Sequence, residues 1–305
     1  MKIHFINSFY MLIIVSLAAF SCKNEGQENR TEAGDTGSLQ ETGNSSWESL
    51  FNGTDLTGWY TYQRQPEPTS DVTGMARDEE GKYIDPLGIN NDPLSVFTVV
   101  EEDGAAAIRI SGEVFGILVT EKEYENYHLK VEFKWGDKKY PPREDKKMDS
   151  GILYHSIGPE GAWGGVWMKS LECQVQETDC GDYISVDTVF VDIPALKNDA
   201  DDRYYYNKNA ERITFQPDLS YCNKEADYEN PKGEWNTMEI YTFNGTSVHV
   251  VNGNVNMRVY NSRYLKDGVE TPLTRGKIQL QSEGAEIFYR NIQIMTVAEI
   301  PDILL

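Results

Sequence analysis

Apolar side chains recur along this chain with a period of two, in short runs punctuated by Gly, Asn and Asp. Such alternation places every second side chain on one face of a pleated strand, so it predicts half-buried β-strands and no long helix. Residues 128–135 (HLKVEFKW) show it most cleanly. Leu129, Val131, Phe133 and Trp135 share one face and are expected in the core. His128, Lys130, Glu132 and Lys134 share the other, and His128 is expected at the surface. Residues 235–243 (WNTMEIYTF) alternate less strictly and run into Asn244-Gly245, a dipeptide suited to a tight hairpin turn. Residues 247–251 make the return strand, Asn252-Gly253 makes a second such turn, and 277–282 with 286–297 close the pattern. Strands joined by tight turns without intervening helices predict an all-β, single-domain antiparallel sandwich or jelly roll.

Two stretches break the rhythm. Residues 62–95 carry Pro66, Pro68, Pro86 and Pro93 among polar residues and read as a long loop. Residues 182–233 mix two candidate strands with a tyrosine-rich, acidic excursion. Long insertions on a rigid sandwich often build the walls of a binding site; a surface elaboration without a ligand is the alternative.

The amino terminus sets the expected compartment. Lys2 precedes an apolar run over 9–20 (FYMLIIVSLAAF), too short to span a bilayer, so 1–21 reads as a signal peptide. Cys22 follows directly in AAFSC, which resembles the lipobox of bacterial lipoproteins, although Phe20 is bulkier than that pattern prefers. Residues 22–46 hold almost no apolar side chains beyond the cysteine and are expected to form a flexible tether. The expected location is the bacterial cell envelope, periplasm or outer membrane, with the lipid as the sole membrane contact. A formal net charge of −21 argues against nucleic acid and against anionic head groups, and favours a neutral ligand. Residues 47–300 remain for one large core. Of their three cysteines, Cys173 lies within a strand, which makes Cys180 with Cys222 the preferred pair, although connectivity is not readable from spacing.

The strand around 171–177 (LECQVQE) carries the most chemistry. Alternation sends Cys173 and Val175 to the core and Glu172, Gln174 and Gln176 to the opposite face, expected to line a groove. A row of carboxylate and amides offers both donors and acceptors, which suits sugar hydroxyls. Residues 158–169 (GPEGAWGGVWMK) would form a flexible wall. There Trp163 is the expected stacking platform, and Trp167 divides between platform and core.

Several separated segments carry a resemblance. Residues 50–59 (LFNGTDLTGW), 149–154 (DSGILY), 171–177 (LECQVQE), 233–237 (GEWNT), 249–253 (HVVNG), 276–282 (GKIQLQS) and 286–292 (EIFYRNI) resemble, in order, the family of domain of unknown function 1080, also called the 3-keto-disaccharide hydrolase family. The resemblance runs from about residue 50 to 297 and implies a concanavalin-like jelly-roll sandwich of two antiparallel sheets, similar to laminarinases and legume lectins. It also implies cleavage of 3-keto-glycosides made by an upstream sugar oxidoreductase. The insertion at 182–233 exceeds the compact family pattern, so specificity is not carried over.

The implied chemistry starts from the acidity that a C3 ketone gives the proton on C2. It needs a general base, a donor for the enolate oxygen and an acid for the leaving group. Glu172 and His155 are the candidates for base and acid, with interchangeable roles. Gln174 and Lys169 are candidate substrate donors, with Lys169 near the oxyanion, and Tyr154 and Asp149 flank them in DSGILY. His249 alternates with Val248 and Val250, and a groove ligand and a structural histidine are equally open for it. The same strand also resembles the Glu-x-Asp-x-x-Glu signature of retaining glucanases, with Gln174 in place of Asp and Glu177 as second carboxylate. Retention needs carboxyls about 5–5.5 Å apart, whereas five residues of ideal strand span roughly 16 Å; only a bulge would bring Glu177 back. A retaining glucanase and a non-catalytic glycan-binding lipoprotein are therefore the alternatives. No cofactor is expected: Asp149, Glu177, Asp179 and Asp182 could offer oxygen ligands to calcium, but their spacing matches no known loop. Serine-hydrolase, phosphate-loop and zinc-peptidase motifs are absent from the sequence.

Overall fold

The computed structural model describes residues 46–305, and its strand ladders are antiparallel and gathered into two sheets. The leader over 1–21, the lipidation candidate Cys22 and the tether up to residue 45 lie outside the described residues. The larger sheet runs, in spatial order, Arg203–Tyr206, Val189–Asn198, Asn254–Lys266, Thr246–Val251, Asn236–Phe243, Tyr127–Lys139, Ala285–Thr296, Ala105–Ile110 and Phe97–Glu102. The smaller runs Tyr221–Cys222, Tyr183–Val186, Lys169–Gln176, Asp149–Ile157, Arg275–Ser282, Gly116–Thr120, Trp59–Gln63 and Gly88–Ile89. The one helix among the described residues is a 3-10 turn, Asp302–Leu304. This is the all-β, single-domain jelly-roll sandwich that the alternation and the resemblance imply.

The inner faces meet as the pattern requires. Leu129, Val131, Phe133 and Trp135 are buried in one core with Ile152, Leu171, Cys173, Val175 and Leu280 of the smaller sheet. Asn244-Gly245 and Asn252-Gly253 take positive φ at both residues (47° and 75°, 48° and 77°), the left-handed geometry of a two-residue hairpin turn. The outer face of the larger sheet departs from expectation at His128. It lies directly opposite Tyr241, stacks on that ring at 3.7 Å between centroids and contacts Glu239 at 2.7 Å, so it is buried rather than plain surface.

The two irregular stretches differ in kind. Residues 62–95 hold only the two-residue strand Gly88–Ile89 besides the end of Trp59–Gln63. Residues 182–233 form five strands rather than two, and they extend both sheets at one end: Arg203–Tyr206 and Arg212–Phe215 pair with Val189–Asn198, while Tyr221–Cys222 pairs with Tyr183–Val186. The preferred Cys180–Cys222 bridge does not form. Cys173, Cys180 and Cys222 are separate buried thiols. Cys180 sits in the turn after Lys169–Gln176 and donates to the Gln176 carbonyl, while Cys222 lies on an edge strand opposite Tyr183.

Phe133 is among the largest fully buried side chains. Phe133→Ala is expected to cost about 3–5 kcal/mol, read as a lower urea midpoint at unchanged slope.

Candidate active site

The site is built on the pairing of Lys169–Gln176 with Asp149–Ile157. From Leu171↔Tyr154 to Gln176↔Asp149 the register is unbroken, so alternation is strict. Leu171, Cys173 and Val175 enter the core, and Glu172, Gln174 and Gln176 face away from it beside Leu153, Gly151 and Asp149. The next strand, Arg275–Ser282, adds Gln279 and Gln281 to the same face, and Glu283 follows beyond its end.

This face divides in two. One half is apolar: Leu153, Ile117, Val119 and Val186 pack under Phe115, Val166, Trp167 and Met168. The loop bearing Trp167 is tied down by Tyr60, whose hydroxyl donates to Glu160 at 2.5 Å. The other half is polar and centred on Arg143. Its guanidinium donates to Asp149 Oδ2 and, at 3.1 Å, to Glu283 Oε1; the Gln176 amide also donates to Asp149 Oδ2.

Glycine is required at position 151. A Cβ there would collide with Glu172 Oε1 and come 3.1 Å from Gln281 Oε1, so its absence makes room for both head groups. Four buried polar atoms in this half have no hydrogen-bond partner among the described residues: Glu172 Oε1, Asp149 Oδ1, Gln281 Oε1 and Arg143 Nε. Buried groups are normally satisfied, so a cluster of orphans marks a place where something else supplies the partners.

Three carboxyls share this space, and their surroundings separate them. Burial pushes Glu172 well above the usual carboxylate range, and the charges of Glu283 and Asp149 push it further. Asp149 is raised by burial and by Glu283, against the pull of Arg143 and the Gln176 amide. Glu283 is raised by burial, against Arg143 and Arg64. Glu172 is thus the member that no cation draws down, and the proton resides there most readily.

The structure brings together only some of the residues singled out from the sequence. Glu172, Gln174 and Asp149 share the groove, and the Gln174 side-chain oxygen accepts from the Val175 amide at 3.0 Å. Trp163 stands 43% exposed on the loop with its ring 5.5 Å from Trp167, which is itself buried in the apolar half.

The others turn away. His155 lies in a bulge: Lys277↔Ser156 is followed by Gln279↔Leu153, so Tyr154 and His155 together oppose one residue. With φ at 50°, the His155 ring packs against the core rings of Tyr127 and Tyr154, and its Nδ1 contacts the Leu273 carbonyl at 3.2 Å. Burial lowers its pKa to about 4, and it cannot partner Glu172 across the sheet. Tyr154 is a core residue whose hydroxyl bonds Ser247 (2.7 Å) and His249 (3.0 Å). His249 completes that network at the Gly181 carbonyl (3.2 Å), which makes it structural. Lys169 precedes the regular register and faces Asp187 at 3.5 Å and the Tyr264 ring. Glu177 follows the strand, where it accepts from the Met148 amide at 3.3 Å; with no bulge between 172 and 177 the two carboxylates fall on opposite faces.

The carboxylates weighed for calcium diverge as well. Asp149 meets Arg143, Asp179 meets Lys147 (2.6 Å) and Lys224 (3.1 Å), and Asp182 meets the Lys224 amide (2.8 Å) and Tyr221. Among the described residues no three His, Cys, Asp or Glu side chains are grouped to hold a metal ion.

A cleft of about 660 Å³ adjoins the polar half, lined by Gln176 and Lys147 and by Arg203, Tyr204, Ser220 and Tyr221 of the insertion. The insertion therefore forms a wall beside the groove.

Fold and site together define a β-sandwich with a carboxyl–amide groove sunk into one sheet. The chain belongs to the 3-keto-alpha-glucoside-1,2-lyase-like domain family, whose model matches residues 46–295. None of the curated proteins compared with it matches significantly. Among solved structures it is similar to two candidate glycosyl hydrolases from Parabacteroides distasonis. One is 21% identical, with 82% of this chain and 94% of that chain covered and a TM-score of 0.42. The other is 17% identical, with 83% and 100% covered and a TM-score of 0.43. A β-glucanase from Bacillus licheniformis is 12% identical over 84% of this chain and 100% of that one, at a TM-score of 0.38.

Two outcomes test the site. Gly151→Ala, whose backbone conformation alanine tolerates, is expected to keep the fold, lower stability by about 1–3 kcal/mol through overpacking and displace Glu172, read as loss of ligand binding at unchanged circular dichroism. Glu172 has a folded-state pKa above its unfolded value, so its contribution is most favourable below the unfolded pKa and is lost as pH rises. Glu172→Gln is therefore expected to raise Tm increasingly from pH 4 to pH 8, by roughly 2–4 °C for each kcal/mol recovered.

Proposed function

We propose that the protein cleaves the glycosidic bond of 3-keto-glycosides by elimination followed by hydration. The observation that carries this reading is the cluster of unpartnered atoms in the groove: Oε1 of Glu172, whose burial favours the protonated form, Oδ1 of Asp149, whose other oxygen is held by a guanidinium, and the Arg143 Nε–H. In this reading Asp149 Oδ1 takes the C2 proton, and the electron pair moves into the ketone to give an enolate whose oxygen Arg143 Nε–H steadies. As the enolate collapses, C1=C2 forms, the bond from C1 to the leaving oxygen breaks, and the Glu172 proton passes to that oxygen. Water then adds, its oxygen to C1 and a proton to C2, so the net change is hydrolysis. Gln174 and Gln281 supply hydrogen bonds to hydroxyls, and the exposed Trp163 ring offers a face to the sugar.

The family supports action on a keto-sugar. The leader and Cys22 support an envelope location with a lipid anchor, and the need for a C3 ketone implies a sugar oxidoreductase upstream.

Release of 4-nitrophenol from its 3-keto-glucoside and from the unoxidised parent tests the reading. Release from the keto substrate alone, reduced about 10²–10⁴-fold in Glu172→Gln and in Asp149→Asn with binding retained, is expected. Activity should fall at alkaline pH as Glu172 loses its proton and at acid pH as Asp149 gains one. Equal release from the parent would instead favour an ordinary glycosidase, and binding without release from either a glycan-binding protein.

A further inference from the structure

A patch of exposed apolar side chains lies on the outer face of the larger sheet, across the sandwich from the groove. One row of pairs crosses that face: Met295 opposite His128, His128 opposite Tyr241, and Tyr241 opposite Val248. Trp47 meets the row edge-on, its ring 4.8 Å from that of His128. The segment after Ala285–Thr296 folds over the other end, where Ile300 is buried against Val248 and Val250. Leu304 packs on the same cluster with Tyr241 and Phe243, and its carbonyl accepts from Arg258 Nε at 2.5 Å. Ile303 and Leu305, on either side of Leu304, are left 88% and 51% exposed, and Trp47 is 41% exposed. Large apolar side chains gathered around one apolar cluster, rather than scattered singly, mark a surface that something else covers.

The place where the chain enters the domain points to the cover. Trp47 directly follows the segment that leads back to Cys22, the lipidation candidate. Residues 23–46 carry one large apolar side chain, Leu39, so they bring almost nothing with which to cover the patch themselves. A flexible chain of that length spans roughly 25–30 Å. Anchored by its lipid, it would keep the domain beside the bilayer and hold the face at Trp47 there at high effective concentration. Tryptophan with aliphatic neighbours is a composition that settles at the boundary between head groups and acyl chains. Charge selects the lipid. Glu299 and Asp302 stand exposed on the same segment of a chain with formal net charge −21, which disfavours anionic head groups.

We infer that this face docks on a lipid surface without net charge, with Trp47, Ile303 and Leu305 entering the interface. The acyl chain is then not the sole membrane contact, and the groove on the opposite sheet is held open to water. This rests on the reading of Cys22 as a lipid anchor.

Tryptophan emission of the full chain, lipidated at Cys22, is measured on phosphatidylcholine vesicles with brominated or plain acyl chains, since bromine quenches only rings in contact with the lipid. Lower emission on the brominated vesicles is expected. Trp47→Phe, which keeps the patch but removes the reporter, should reduce that quenching at least twofold. Ile303→Ser with Leu305→Ser, which leaves Trp47 in place, should do the same. Ile89→Ser, exposed at the edge of the opposite sheet, should leave it unchanged. Equal emission on both vesicles, or quenching that survives either Trp47→Phe or the double variant, overturns the docking face. So does shielding of Trp47 from aqueous acrylamide without quenching by bromine, which would assign the face to a second copy or another protein. The mass of the mature chain reports the lipid separately. Without one the anchor reading fails, and the same quenching series on Cys22 coupled to a maleimide phospholipid then decides the face by itself. Melting temperatures of the variants within a few degrees of the parent identify the losses as local.

Discussion

One guanidinium set against three buried carboxyls is the interaction on which the rest of this groove depends. Arg143 reaches Asp149 and Glu283 but not Glu172, and that difference lets like groups in one space hold their protons differently. Burial raises all three, and Arg143 opposes that rise at Asp149 and Glu283 alone, so the carboxyl that gives up its proton more readily is one of those two. Such an arrangement tends to weaken the fold, since none of the three is as well solvated as it would be in the unfolded chain. The hydrophobic core behind the same sheet supplies the compensation, through the strict in-and-out alternation of Lys169–Gln176.

The regular register of that strand also determines what the groove is not. A pair of carboxylates on a single strand must be an even number of residues apart, or be separated by a bulge, to share a face. Glu172 and Glu177 meet neither condition. The acids that do converge come from three places: the central strand, its neighbour, and the residue after the closing strand. A site assembled this way is specified by sheet pairing more than by any local motif.

That origin explains how much could be read from the chain beforehand. Strands, hairpin turns and the two faces of 128–135 and 171–176 follow from local alternation, and they are present as expected apart from the burial of His128 and the three further strands in 182–233. Glu172 and Gln174 were legible because their strand alternates without interruption, and Asp149, on the neighbouring strand, through the resemblance carried by DSGILY. Glu283 and Gln281 carried a signal of the same form: in 278–283 the sequence alternates Ile, Gln, Leu, Gln, Ser, Glu, with the polar set on the groove side. That alternation supports a closing strand but was not read as part of a site, because nothing local says which neighbour it will meet. Arg143 had no signal at all, since it comes from a loop. His155 failed for the opposite reason. A bulge reverses facing for every residue beyond it, and neither the glycine nor the tyrosine before His155 announces one. Tyr154 was misplaced and His249 left open by the same limit, since a hydroxyl and an imidazole that satisfy each other in a core read like ligands when only one strand is in view.

The short strands at the margins of the smaller sheet have a consequence of another kind. A sandwich, unlike a closed barrel, leaves rows of unpaired N–H and C=O groups at its borders, and each is a template on which a second chain can add a strand. Here the sheet ends on both sides in strands of two residues, Tyr221–Cys222 and Gly88–Ile89. A two-residue border gives an incoming strand too few hydrogen bonds to hold it. The same long loop and insertion that flank the groove thus protect the sheet that carries it against edge-to-edge aggregation.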